Sequence, residues 1–435
     1  MKPLLSAHFQ SRSPSAIRSA QIEFNKRTDG VQAINVAIGN VSLPMPKFMQ
    51  QAMFSLKKSP FRKGVVDYTT SDGTTEAKEA FLKFIRLSGG NTDNLHVLIS
   101  EGGSLAMELV VLGTTTKEKP LLLIDPAYTN YNAFAKRLGL KTVSLQRTLQ
   151  ENGEFTLPEI TEIEKIIQKE QPNALVIIPY DNPTGQFFPE ETLVKLAQLA
   201  VQHNLWLVSD EAYRGLNYNN QPASSIWCLT ETEVPGITGR RVSIESTSKV
   251  WNACGLRIGA IVTDNLEFYE KALAETTANL SCNSIGQHIF ASLLQQPDEV
   301  LKEWLAQQKN YYAPLMQKFT EKMKKLLPGI IISQPEAALY SVVDVRKIAP
   351  PDFKAKEFVL YCAQKGQVNL KGIPTTLLVA TMEGFYAVPP GEKNPGSTQM
   401  RIAYVAPPKE MKLVPKLFAE LFKQYLQKSS LKIHR

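Results

Sequence analysis

The middle of the chain alternates short apolar runs with segments in which apolar residues recur at helical spacing. The runs are nearly continuous, which is typical of strands buried on both faces, and they predict strands at 121–124, 174–178, 205–208, 242–244 and 257–262. Between them the spacing predicts amphipathic helices, for example over 190–203. This alternation indicates an α/β fold in which helices cover a sheet.

The pattern changes near residue 299. A long helical stretch over 299–327 ends at the stop signal Pro328–Gly329, and shorter strands at 340–344 and 400–405 precede a final amphipathic helix near 410–427. We therefore expect a large domain over 50–307 and a smaller α+β domain built from both chain ends. Residues 1–49 would supply an N-terminal arm and part of the small domain, and 308–435 the rest.

The composition mainly argues against certain classes of protein and site. The 49 Lys+Arg and 41 Asp+Glu residues give a net charge of +8, but the basic residues are spread out, which does not favour nucleic-acid binding. The 4 cysteines form no CxxC pair or Cys/His cluster, so we expect free thiols in a reducing compartment and no metal site. The sequence predicts neither a signal peptide nor a membrane span, which makes a cytoplasmic protein the default.

Polar residues recur just after the predicted strands, at the edge where open α/β sheets bind ligands. Each motif is weak alone, because Asn-Pro-Thr-Gly is commonly a turn and a Gly-Gly pair can simply begin a helix. The motifs are Glu101-Gly-Gly-Ser104, Asp125-Pro-Ala-Tyr128, Asp181-Asn-Pro-Thr-Gly185, Asp210-Glu-Ala-Tyr213 and Ser246-Thr-Ser-Lys249, with Arg257 eight residues later. Their order along the chain is far more specific than any one of them.

Taken in order, the motifs resemble those of the fold-type I, class I/II aminotransferases that depend on pyridoxal 5'-phosphate (PLP), the aspartate aminotransferase superfamily. The similarity extends from Asn35-Val-Ala-Ile-Gly39 to Arg401. It implies the PLP-transferase fold type I, in which a large domain with a mostly parallel seven-stranded sheet between helices accompanies a smaller α+β domain. It also implies an aminotransferase (EC 2.6.1.-) that moves an amino group between an L-amino acid and a 2-oxo acid.

The resemblance assigns the catalytic roles to Lys249, Asp210 and Tyr213, and it places Asn182 beside Tyr213. Lys249 would form the Schiff base with PLP and, once freed by substrate, would move a proton as general base and acid. Asp210 would pair with the pyridine nitrogen and keep the ring protonated, so that the ring accepts electrons. Tyr213 and Asn182 would stabilise the phenolic O3' as an anion. Without the resemblance, we would interpret Lys249 as a surface lysine, Asp210 as a helix cap and Tyr213 as a tyrosine of the hydrophobic core.

The resemblance also implies a phosphate site and a ring-stacking residue. The expected phosphate partners are Gly103 and Ser104 at a helix start, the hydroxyls of Ser246 and Ser248, and the guanidinium of Arg257. Tyr128 would stack on the pyridine face. Tyr68 would reach the phosphate of a neighbouring subunit, which implies a homodimer with shared active sites.

On the substrate side, Arg401 matches the arginine that grips the α-carboxylate, a task suited to a planar fork. Asn182, Gly39 and Tyr340 would line the same side of the pocket. The sequence departs from dicarboxylate-specific relatives, because no lysine or arginine occurs between Lys271 and Lys302. Either another residue, for instance Arg12 or Arg18 of the N-terminal arm, contacts a distal carboxylate, or the substrate is not acidic.

Two other functions are compatible with parts of this pattern. A PLP-dependent carbon–sulfur β-lyase or a decarboxylase would share Lys249, Asp210 and Arg257, because the cofactor supplies the bond-breaking chemistry and the pocket selects the bond. A PLP-binding transcription regulator would carry a helix-turn-helix module ahead of this domain. We do not expect one, since the aminotransferase pattern already begins near residue 15.

Overall fold

The structure is a computed structural model that describes residues 3–12, 14–389 and 391–433. The helices are α1 (Ala7–Gln10), α2 (Ala16–Phe24), α3 (Lys47–Phe54), α4 (Thr75–Leu87), α5 (Gly102–Thr114), α6 (Asn130–Leu138), α7 (Ile160–Glu170), α8 (Glu190–Gln202), α9 (Leu266–Thr276), α10 (Ser284–Ala291), α11 (Asp298–Leu326), α12 (Ala355–Gln364), α13 (Pro408–Met411) and α14 (Val414–Ile433). The strands are β1 (Gln32–Asn35), β2 (His96–Glu101), β3 (Leu121–Asp125), β4 (Thr142–Gln146), β5 (Thr148–Leu149), β6 (Phe155–Thr156), β7 (Ala174–Ile177), β8 (Trp206–Asp210), β9 (Arg241–Ser246), β10 (Ile258–Thr263), β11 (Ile331–Ile332), β12 (Tyr340–Asp344), β13 (Val368–Leu370), β14 (Ile373–Leu378), β15 (Ala380–Thr381) and β16 (Gln399–Ala403).

The central sheet has seven strands in the order β2-β10-β9-β8-β7-β3-β4. β10 runs antiparallel to both of its neighbours, whereas the pairs β9–β8, β8–β7, β7–β3 and β3–β4 are parallel. Alternate residues of one strand enter different hydrophobic cores, since Leu121 and Leu123 belong to one cluster and Leu122 and Ile124 to another. Both faces are therefore buried, and the expected mostly parallel seven-stranded sheet is confirmed.

All five strands predicted from apolar runs are present, with ends that differ by one or two residues. β2 and β4 belong to the same sheet but were not predicted. β4 lies at the sheet edge and is only partly buried, and its sequence Thr-Val-Ser-Leu-Gln contains no continuous apolar run. The prediction that the last strand begins at Arg257 was wrong by one residue, because Arg257 has the left-handed φ of 56° and β10 begins at Ile258.

A smaller layer joins the two ends of the chain. β1 pairs in parallel with β14, so that Gln32–Asn35 lies beside residues 375–378, and β13 completes this three-stranded sheet. A second sheet has the order β11-β12-β16-β15. These pairings support a small domain drawn from both chain ends, while the boundaries at 50 and 307 stay predictions; residue 307 lies inside α11. In the part of the chain that the structure describes, no helix is long and apolar enough to span a membrane.

Candidate active site

A cavity of about 960 Å³ opens at the carboxyl edge of the parallel strands. The small sheet reaches the same cavity through β12 and β16, and α2 forms a further wall. The predicted site residues that line it are Gly39, Gly103, Ser104, Tyr128, Asn182, Asp210, Tyr213, Ser246, Ser248, Lys249, Arg257, Tyr340 and Arg401. Tyr68 does not line it, and its side chain is 78% exposed. Residues from 39 to 401 thus converge on one site.

Asp210 places a carboxylate at the base of the cavity. It is the last residue of β8 and is only 3% exposed. Its Oδ1 accepts from the amide of Ala212 at 3.2 Å, and its Oδ2 accepts from the hydroxyl of Tyr131 at 3.2 Å. Burial raises the pKa of Asp210 to about 6, and these two donors act against the rise. A buried carboxylate of this kind is a good partner for a cationic N–H group.

Lys249 lies three residues beyond the end of β9 and is partly buried. Its Nζ donates to the carbonyl oxygen of Gly39, which follows β1. Gly39 has no room for a side chain, because an added Cβ would come within 3.2 Å of this Nζ and would collide with the Tyr340 hydroxyl. The glycine therefore lets the backbone approach the lysine closely.

Four side chains from both sheets form a connected polar chain. The Tyr213 and Tyr340 hydroxyls are hydrogen-bonded at 2.8 Å, and Asn182 Nδ2 donates to the Tyr213 hydroxyl at 3.5 Å. Arg401 Nη1 donates to Asn182 Oδ1 at 2.8 Å, its Nη2 donates to the Ala37 carbonyl at 2.7 Å, and its guanidinium lies 4.4 Å from the Tyr340 ring centroid. Arg401 is 1% exposed, and its Nε has no hydrogen-bond partner among the described residues. A buried, incompletely bonded guanidinium fits a carboxylate ligand.

Hydrogen-bond donors cluster around the first turn of α5. Gly103 and Ser104 follow β2 directly, and the side chains of Ser246 and Ser248 are linked by a hydrogen bond of 2.8 Å. Arg257 Nη2 donates to the Glu101 carbonyl at 3.2 Å. A Cβ on residue 102 would come within 2.5 Å of this guanidinium, so the glycine there allows the arginine to reach the helix start. A helix N-terminus, two hydroxyls and a guanidinium together fit a phosphate.

Sequence reasoning missed several residues around the site. Arg147 and Asp181 form an ion pair of 2.8 Å with side chains 1% and 3% exposed, which supports the loop that carries Asn182. Gln21 and Asn35 line the cavity from α2 and β1. Asp181 and Asn35 begin two of the quoted motifs but were given no role there, and no motif includes Arg147 or Gln21. Each of the four acquires its place through contacts between distant segments.

The residues present fit PLP at three separate points. The phosphate fits the donors at α5, the pyridine nitrogen fits the buried Asp210 carboxylate, and the aldehyde carbon fits the Lys249 amine, which faces the same cavity. Tyr128 lines the cavity between these points and offers a ring to stack upon. The three chemical partners belong to different strand ends of one sheet, as a planar phosphorylated cofactor requires.

Comparisons with known proteins agree with this geometry. The family model described as Aminotransferase class I and II matches residues 32–410. The aspartate/prephenate aminotransferase of Thermus thermophilus is 24% identical over 358 residues, which are 82% of this chain and 88% of that protein. The structure of the Thermus thermophilus aspartate aminotransferase with maleate aligns with a TM-score of 0.78 at 21% identity, covering 97% of this chain and 100% of that one. The alanine aminotransferase from Pyrococcus furiosus has the same TM-score at 22% identity, with 97% and 100% covered.

At these identities the solved structures show the fold, and the family model shows the family because it matches most of the chain. The expected PLP-transferase fold type I is confirmed, and so is the aminotransferase activity (EC 2.6.1.-). The chain therefore belongs to the class I and II aminotransferases and is a PLP-dependent aminotransferase.

Proposed function

We propose that Lys249 holds PLP covalently and that Arg401 orients the amino acid for proton transfer at this lysine. The observation that carries the proposal is that the Lys249 amine, the Asp210 carboxylate and the Arg401 guanidinium open into one cavity. When bound, PLP supplies an electron sink that weakens the bonds at the substrate Cα. Once the substrate amino group has displaced it from the cofactor, the freed amine of Lys249 would remove the Cα proton and return it on the cofactor side, as general base and acid.

The other residues would hold these partners in place. The Arg401 fork would bind the α-carboxylate, since it is already fixed by Asn182 and by the Tyr340 ring. Asp210 would hold a proton on the pyridine nitrogen, and Tyr213 with Asn182 would stabilise O3'. Gly39 and Tyr340 would complete the substrate side.

The phosphate would be bound by donors from three strand ends: Gly103, Ser104, Ser246, Ser248 and Arg257. Tyr128 would stack on the ring. The substrates would be an L-amino acid and a 2-oxo acid. The names of the relatives include aspartate, prephenate and alanine aminotransferases, so the names alone do not select the donor.

We propose further that the enzyme is a cytoplasmic homodimer with shared sites. Tyr68 is exposed in a segment in which Val65 and Val66 are also exposed, at 53% and 56%, which suits a surface covered by a second subunit. A mixture of Tyr68→Ala and Lys249→Ala variants tests this arrangement. If the sites are shared, each variant alone is impaired and the heterodimer regains activity, because one of its two sites combines both native residues. Sedimentation of a fully active monomer would contradict the proposal.

The role of Lys249 is tested by borohydride reduction followed by peptide mass spectrometry. We expect visible absorbance after PLP is added, attachment of the reduced cofactor to Lys249, and loss of transamination in Lys249→Ala. Lys309 is the matched control, because it is a half-buried lysine outside the cavity whose Nζ donates to Asn217 at 3.1 Å. Lys309→Ala should keep both the label and the activity. A colourless protein, a label on Lys309, or a Lys249→Ala variant that still transaminates would contradict this role. Release of ammonia and pyruvate without an acceptor oxo acid would indicate a lyase instead.

A further inference from the structure

The cavity contains one cation to which the proposed function gives no role. Among the described residues, the charged side chains that line the cavity are Arg18, Asp210, Lys249, Arg257, Arg401 and Glu410. The cofactor would use Lys249, Arg257 and Asp210, and the substrate α-carboxylate would use Arg401. Arg18, in the first turn of α2, is the cation that is left.

Arg18 is exposed on the wall of the cavity, so its guanidinium is open to a ligand. Within the described ranges it forms no ion pair and no hydrogen bond with another residue. Its neighbours are already paired, because Gln21 Oε1 accepts from Asn35 Nδ2 at 2.6 Å and Gln21 Nε2 donates to Asn25 at 2.6 Å. Asn35 Oδ1 accepts from the amide of Ala37 at 3.0 Å. Among these three residues of the wall, Arg18 therefore has the free polar group that a ligand would meet, and this group is a cation.

Arg18 acts on the same part of the cavity as the α-carboxylate site. Burial raises the pKa of Tyr128 to about 12, and the positive charges of Arg401 and Arg18 both act against this rise. Arg18, Tyr128 and Arg401 also line the same cavity, so a guanidinium from α2 and one from β16 face the same space. A substrate bound to Arg401 would carry its side chain in the same region.

The helix holds Arg18 in a fixed place. Ser15 caps α2 by accepting from the amide of Ile17, and the Ile17 side chain packs against the hydrophobic cluster that contains Phe385 and Tyr386. Arg12, the other arm residue considered from the sequence, is exposed like Arg18, but it lies before this helix and does not line the cavity. The structure therefore favours Arg18 over Arg12 as the residue that could contact a distal carboxylate.

We propose that Arg18 binds a distal carboxylate of the substrate, so that the enzyme acts preferentially on dicarboxylic amino acids and their oxo acids. This rests on the proposed function, because Arg401 must hold the α-carboxylate. A planar guanidinium can bind such a carboxylate through two parallel hydrogen bonds. Glu410 lies on the same cavity and disfavours an anion, so Glu410→Gln should strengthen dicarboxylate binding.

The test compares L-aspartate and L-glutamate with L-alanine, which has the same α-groups and no distal carboxylate. Single-turnover conversion of the bound cofactor is followed by absorbance in the PLP-loaded wild type and in Arg18→Met, Arg18→Lys and Arg12→Met. We expect Arg18→Met to lower kcat/KM for the acidic donors by about 10- to 100-fold, the usual effect of losing a charged hydrogen bond. The alanine reaction should change by less than about twofold, Arg18→Lys should recover part of the loss, and Arg12→Met should match the wild type.

Equilibrium binding gives a readout that does not depend on turnover. Succinate and butyrate are titrated into each protein, and the shift of the cofactor absorbance reports binding. Arg18→Met should weaken succinate by a similar factor and leave butyrate unchanged, while the cofactor spectrum and melting temperature confirm an intact site.

Three outcomes would overturn the assignment of Arg18 and leave the proposed function standing: a wild type that prefers alanine, an equal loss for acidic and neutral donors in Arg18→Met, or a selective loss in Arg12→Met. A wild type that converts no amino acid would overturn the proposed function itself.

Discussion

Replacing Asp210 with asparagine separates the cost of burying this carboxylate from its contribution to the cofactor site. The folded protein holds the proton of Asp210 more tightly than the unfolded chain, with a pKa of about 6 against 3.8. The carboxylate therefore lowers the free energy of unfolding progressively as pH rises from about 4 to about 6, and the full cost remains above that range. This difference in pKa corresponds to about 3 kcal/mol.

Asparagine has the same shape and no charge. Its Oδ1 can still accept from the Ala212 amide, and its Nδ2 can donate to the Tyr131 hydroxyl, so both existing contacts have a substitute. Cofactor-free Asp210→Asn should therefore be more stable than the wild type at pH 7.5 by up to about 3 kcal/mol. The difference should shrink as the pH falls towards 4.

With PLP bound, we expect the Asp210→Asn substitution to be harmful instead of favourable. The amide carries no charge to hold a proton on the pyridine nitrogen, so we expect transamination to fall by about a hundredfold or more. PLP should also raise the melting temperature of the variant less than that of the wild type, because it binds the folded variant more weakly.

Urea unfolding of both cofactor-free proteins at pH 7.5 and pH 5 measures the stability change, and single-turnover absorbance measures the reaction. Asp181→Asn is the matched control, since Asp181 is equally buried at 2% exposed but is paired with Arg147. Burial raises the pKa of Asp181 too, but Arg147 acts against this rise, so removing the Asp181 carboxylate also removes a buried ion pair and should not give the gain in stability expected for Asp210→Asn. An Asp210→Asn protein that is no more stable than the wild type at pH 7.5, or that transaminates within a few-fold of it, would refute the reasoning.

Two further substitutions test the surroundings of the site. Arg401→Lys should raise KM for the amino acid by about 10- to 100-fold, because one ammonium cannot keep the present contacts and also bind a carboxylate at two points; an unchanged PLP spectrum with an unchanged KM would contradict this. Arg214→Met should lower the free energy of unfolding by about 3 to 5 kcal/mol, because it removes the buried partner of Glu211 at 2.8 Å and Glu245 at 2.5 Å. Burial raises the pKa of Glu211 to about 7 although Arg214 acts against this rise. Without Arg214 the pKa of Glu211 should be higher still, so the loss of stability should grow between pH 6 and pH 8 in urea titrations.

Five of the seven strands of the central sheet and the residues at their ends could be predicted, because both are local features. An apolar run such as 174–177 specifies a buried strand, and the polar residue that follows it must lie at the sheet edge. Lys249 and Asp210 lie at or just beyond such strand ends, and the resemblance of the ordered motifs to the aminotransferases predicted their roles. Their burial and hydrogen bonds could not be predicted, because these depend on neighbours such as Tyr131 that no motif includes.

Contacts between distant segments account for what the sequence did not reveal. α2 packs against α12 and β15 of the small domain, and this packing brings Arg18 but not Arg12 to the cavity. Arg147 carries no motif, and its ion pair with Asp181 forms only where β4 ends beside the loop after β7. Long-range pairing of this kind leaves no periodic signal in a single sequence.

Tyr340 connects the motifs of the large sheet with those of the small sheet. Its hydroxyl bonds to Tyr213 beyond β8 in the large sheet, and its ring lies under Arg401 of β16 in the small sheet. Arg401 in turn donates to Asn182, which follows β7, and Asn182 donates to Tyr213. The contacts among the four side chains therefore form a closed ring. The groups proposed for O3' and for the α-carboxylate are therefore fixed by one another, so a displacement between the sheets would move both. Since these four side chains position one another, their joint presence is stronger evidence than any single motif.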